Sequence, residues 1–111
     1  MSGVAGGDPA GEDRLRPSTA LQRNKHRVIA AISRFNLSHP RIFGSVARGE
    51  DDEASDLDIL VEPGEGVTFF DLSRLEFELQ SILGCRVEVT TPKGLSAKVA
   101  LSATRDLREL A

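Results

Sequence analysis

"GSVARGEDDEASDLDIL", Gly44 to Leu60, is the stretch from which the rest of the chain can be read. Asp56 and Asp58 alternate with Leu57 and Ile59, and Val61 continues the aliphatic parity. Side chains of a strand point to opposite faces in turn, so both aspartates fall on one face and the aliphatic residues on the other. Two carboxylates side by side repel unless a positive charge lies between them. Upstream, Gly44-Ser45 stops a short strand, Arg41 to Phe43, and opens one or two helical turns over "SVARGE". Glycine lets a backbone approach an anion closely. Ser45 offers a hydroxyl, and the first amides of the turn point at the same place. Arg48, one turn on, adds positive charge suited to a polyphosphate.

Outward from this centre the chain divides simply. Residues 1–18, rich in Gly, Pro and charge, read as a flexible tail, and residues 19–111 as one domain. "TALQRNKHRVIAAISRF" predicts one amphipathic helix: Thr19 and Gln22 have capping-box spacing, and Leu21, Val28, Ile29, Ile32 and Phe35 share a stripe. Its Arg and Lys residues lie mostly off that stripe, as a solvated face or a docking face for an acidic partner. Asp56 to Glu62 form the second strand, halted by the Pro63–Gly66 turn. A helix follows, with Thr68 and Asp71 at capping-box spacing, an apolar stripe from Leu72 to Leu83, and Gly84 as its stop. "CRVEVTT" is a third strand, and Leu95 to Leu110 read as a last helix. Helices between three strands predict an α/β fold, a small three-stranded sheet covered mainly on one face. On the other face Asp56, Asp58 and Glu88 would line a cleft.

Composition narrows the function. A net charge of −3 argues against a general nucleic-acid binder. No apolar run is long enough to span a membrane, and no hydrophobic signal core opens the chain. With one cysteine, Cys85, no internal disulfide forms, and a cytoplasmic location is expected. His26 and His39 lack partners at zinc-like spacing, Cys85 reads as a small apolar residue, and "EDDE", Glu50 to Glu53, as a mobile solvated loop. Asp56, Asp58 and Glu88 suit magnesium, which prefers oxygen ligands and often binds substrate phosphates too. Two such ions can steady both the attacking and the leaving oxygen of a phosphoryl displacement. With the Gly44-Ser45 turn, they point to a nucleoside triphosphate.

Gly44-Ser45, ten intervening residues, then Asp56-x-Asp58 resembles the signature of the DNA-polymerase-β-like nucleotidyltransferase superfamily. From about residue 20 to 110 the chain looks like its minimal branch, the MNT proteins, antitoxins paired with HEPN-domain ribonuclease toxins. The resemblance implies the mixed sheet of that fold and assigns Gly44 and Ser45 to the nucleotide phosphates. It assigns Asp56 and Asp58 to magnesium and Glu88 to the third acid, where many relatives have Asp. It further implies transfer of AMP from ATP to a tyrosine of the cognate toxin. As this chain contains no tyrosine, such an acceptor must lie in trans. Two other readings stand beside it. One is an antitoxin that only masks its toxin. The other is a small-molecule nucleotidyltransferase completed by a second subunit.

Overall fold

The structure, a computed structural model, describes residues 15–94 and 107–110. Residues 1–14 of the expected tail (1–18) and most of the expected last helix, residues 95–106, lie outside the described residues, while Pro17 and Ser18, also expected in the tail, open a helix. Two helices open the described chain, α1 (Pro17–Arg23) and α2 (Lys25–Arg34). One continuous helix was the expectation. The break falls at Asn24, whose side-chain amide donates to the Ala20 carbonyl at 2.9 Å and so competes with the helical ladder. Nor does Thr19 cap the start. The helix begins at Pro17, whose fixed φ and missing N–H suit a first turn. The Ser18 amide donates instead to Asp51 Oδ2 at 2.9 Å.

Strand β1 (Leu37–Phe43) is longer than the expected Arg41–Phe43 and irregular in its middle. Its register against β2 shifts between Ser38 and Arg41, where His39 has φ of 50° and Pro40 has no amide to give. A short helix, α3 (Ser45–Arg48), leads through an ordered loop to β2 (Leu57–Pro63). Helix α4 (Phe69–Leu83) has the predicted capping box between Thr68 and Asp71 and a left-handed Gly84 at its end. Strand β3 (Val87–Thr90) follows, then a single 3-10 turn over Pro92–Gly94.

The sheet has four strands, not three, in the order β3-β2-β1-β4. Arg108 and Glu109, expected in a helix, form β4 (Arg108–Glu109), antiparallel to β1. β1 would otherwise present a bare edge. Leu110 is buried beside it, its amide donating to the Pro40 carbonyl at 2.9 Å. β1 and β2 run antiparallel, β2 and β3 parallel, so the sheet is mixed. At the β3 edge, the Val89 amide donates to Glu76 Oε2 of α4 at 2.7 Å.

The main core joins Val28, Ile32, Leu75 and Leu79 of α2 and α4 to Leu57, Ile59, Val61, Val87 and Val89 of the sheet. Each fully buried aliphatic side chain contributes about 1.5–3 kcal/mol. The opposite face, expected to line a cleft, is partly covered. Leu60 is buried there with Phe43, and Leu107 packs against both. Among the described residues no helix is long and apolar enough to cross a membrane.

Candidate active site

Three chain segments meet at one end of the sheet. Phe43 is the register partner of Asp58 across the antiparallel pair, so the turn at Gly44 follows directly beside that aspartate. On the other side Asp58 is the partner of Glu88 in the parallel pair. Neighbouring rungs place their side chains on the same face, so Asp58 and Glu88 stand side by side. Asp56 lies one residue before β2 and is exposed, as is Glu88, while Asp58 is half-buried.

Gly44 and Asp58 are packed together. A Cβ on residue 44 would lie 2.6 Å from Asp58 Oδ2, and Gly44 itself has φ of 79°. No other residue fits this backbone without strain. The Gly44-Ser45 turn and Asp58, read separately in the sequence, thus meet in one contact. Ser45 begins α3 and makes no side-chain capping bond; Gly44 occupies the cap position. Arg48 Nε donates to Glu50 Oε1 at 2.9 Å, an exposed pair of small energetic weight.

The electrostatics follow from this crowding. Asp58 has its pKa raised to about 6, first by burial, then by Glu88 and Asp56, against the opposing pull of Arg48. Three of the other predicted residues, Arg48, Asp56 and Glu88, therefore act on Asp58. Among the described residues no three side chains of His, Cys, Asp or Glu converge into a ready-made metal cage. The donor set nevertheless suits a hard divalent cation: three carboxylates, one of them with its pKa raised by burial and by the other two, gain most from a positive charge placed among them.

Several residues here escaped the sequence reading. Asp51, assigned to a solvated acidic loop, is buried and accepts the Ser18 amide. Asp52 orders the same loop, accepting from the Ala54 amide at 2.9 Å. Glu76, Gln80 and Arg86 line an open depression of about 330 Å³ with Asp56 and Glu88. Glu76 follows Leu75 on the inner helical stripe, which was the one signal that it faces the sheet. Cys85 is half-buried, and burial followed by Asp56 and Asp51 pushes its thiol pKa up.

Residues 32–109 match the model of the nucleotidyltransferase domain. The chain belongs to that family. A Methanocaldococcus jannaschii protein provisionally described as a protein adenylyltransferase is 46% identical over 67 residues, 60% of this chain and 72% of that one. A solved structure provisionally described as a minimal nucleotidyltransferase shares 36% identity with a TM-score of 0.72, covering 82% of this chain and 93% of that chain. The fold also matches a chain in a complex of tri-AMPylated Shewanella oneidensis HEPN toxin with MNT antitoxin. There the TM-score is 0.63 at 20% identity, covering 81% of this chain and 71% of that one. The Gly44 turn and the acids of this nucleotidyltransferase all lie inside the matched segment.

Proposed function

We propose that this nucleotidyltransferase is an antitoxin that transfers AMP from ATP to a tyrosine hydroxyl of a cognate HEPN-type ribonuclease toxin. The observation that carries the reading is the contact of Gly44 with Asp58, which joins a phosphate turn to a carboxylate that burial and neighbouring acids leave short of positive charge. The adenylyltransferase relative and the toxin–antitoxin complex of the same fold support the choice of nucleotide and acceptor.

In this reading Gly44 and the amides opening α3 hold the triphosphate, with the Ser45 hydroxyl beside them. Arg48 leaves its exposed pair with Glu50 to meet the phosphates. Asp56, Asp58 and Glu88 would hold magnesium through their carboxylate oxygens. Magnesium held there would neutralise the phosphate charge that builds up during transfer.

 The acceptor phenol, with a pKa near 10, enters in line with the α-phosphorus, and Glu88, exposed on the rung beside Asp58, receives its proton. The new bond joins the phenolic oxygen to the α-phosphorus, and the bond to pyrophosphate breaks.

The test is mass spectrometry of both proteins after incubation with ATP and magnesium. AMP on a partner tyrosine is the expected result, since this chain has no tyrosine to label. An unmodified partner that is still fully inhibited by the Asp56→Asn, Asp58→Asn double variant would instead establish masking as the mechanism.

A further inference from the structure

Away from the acids, α4 turns an aromatic stripe to solvent. Phe69, Phe70 and Phe77 are 79%, 71% and 76% exposed. Phe70 and Phe77 are seven residues apart, two helical turns along one face. With Phe35, Ser73, Arg74 and Glu78 they line a groove of about 380 Å³. Rings of this size leave on the order of 100 Å² or more of apolar surface each in water. Together they make a patch of the extent that marks a binding surface.

The charges around the groove decide what fits it. Every acid of α4 is engaged: Asp71 in the capping box, Glu76 on the Val89 amide, and Glu78 with Arg34. Arg74 lies over the Phe35 ring, 5.8 Å from its centroid, and has no carboxylate partner among the described residues. Helix α2 carries Lys25, Arg27 and Arg34 and no acid, and Arg27 shares the face of Arg34 two turns away. The adjoining depression of about 520 Å³ carries Glu65 and Asp71 beside Arg34 and Arg74, and is not the apolar seat.

We infer that the α2–α4 groove docks an amphipathic helix of a partner protein, apolar along the stripe that meets Phe70 and Phe77 and acidic beside it. A second copy of this chain suits the groove less well. An antiparallel crossing at Ser73 pairs each Phe70 with the other copy's Phe77, but it brings both Arg74 side chains to the axis with no free acid opposite. An acidic helix meets Arg74 and the α2 cations with opposite charge and fills the aromatic seat. The inference is independent of the nucleotidyl-transfer reading.

The test uses two synthetic helical peptides of about 20 residues with the same leucine stripe. Their remaining positions are mainly glutamate in one and lysine in the other. Fluorescence anisotropy against the full chain is expected to show roughly tenfold tighter binding of the glutamate peptide. The Phe70→Ser, Phe77→Ser double variant, its fold checked by circular dichroism, should lose roughly tenfold in affinity. Arg74→Glu, which leaves the aromatic seat in place, should erase the preference for the acidic peptide and keeps the test decisive if the double variant fails to fold. Equal binding of the two peptides, or binding of neither, overturns the inference. A wild-type dimer in sedimentation equilibrium that Phe77→Ser dissolves overturns it in favour of a second copy.

Discussion

The acidic end of the sheet and the aromatic groove differ in how the fold carries them. At the acidic end the chain leaves no slack: Gly44 takes a positive φ with no room for a side chain beside Asp58, and burial and like charges crowd that carboxyl. At the groove nothing is strained. Three rings are simply left in water on a well-capped helix. A chemical site shows as internal conflict that a ligand can relieve, and a docking surface as apolar area that a partner can cover.

That contrast can be broken from either side. The largest effect is expected for Asp58→Asn, where nucleotidyl transfer should fall on the order of a thousandfold. The same change should raise the melting temperature of the chelator-treated protein at neutral pH, because it removes a crowded charge. Transfer retained in Asp58→Asn would remove the acidic end from the chemistry. Next comes Gly44→Val, whose side chain meets Asp58 and whose backbone is strained, at a cost of about 1–3 kcal/mol. Calorimetry should show ATP binding weakened together with that loss of stability; unchanged affinity would leave the turn a purely structural one.

Asp51→Ala sharpens the comparison from within the acidic region. It should cost about 1–3 kcal/mol in urea unfolding, since the Ser18 amide loses its buried acceptor, whereas Asp52→Ala should cost less. Phe70→Ser should move stability by no more than about 0.5 kcal/mol and leave ATP binding unchanged. A large loss in either measurement would tie the aromatic stripe to the fold or to the site. A last prediction concerns pH dependence. The folded protein holds the Asp58 proton up to about pH 6, against an ordinary value of 3.8, so between those values it binds more protons than the unfolded chain. Stability of the chelator-treated protein should therefore fall as pH rises through that window, and the fall should be shallower in Asp58→Asn.

What could be read in the sequence was what local rules control. Strand parity put Asp58 and Glu88 on one face before any pairing was known, and the Thr68–Asp71 box and Gly84 marked both ends of α4. The features missed depend on partners distant in the chain. Arg108–Glu109 is too short to show a period and is a strand only because β1 lies beside it. Asp51 looks like its acidic neighbours until Ser18, thirty-three residues away, reaches it. Asn24 and Pro40 are visible punctuation, but their strength against the flanking helix and strand is decided by packing. The site was legible as two motifs; that Gly44 touches Asp58 required the register of β1 on β2.

The bond from the Val89 amide to Glu76 bears on how this sheet could grow. An edge strand with free amides is a template on which another chain can add a strand, and repeated addition leads to filaments. Here a carboxylate from the overlying helix occupies a donor of the very strand that carries Glu88. A polypeptide seeking to extend the sheet on that side would have to displace a charge-assisted bond and leave a carboxylate facing its own carbonyls. Recruitment of other chains is thereby turned away from the edge beside the acids, and the protein can stay discrete at concentrations where a bare edge would polymerise.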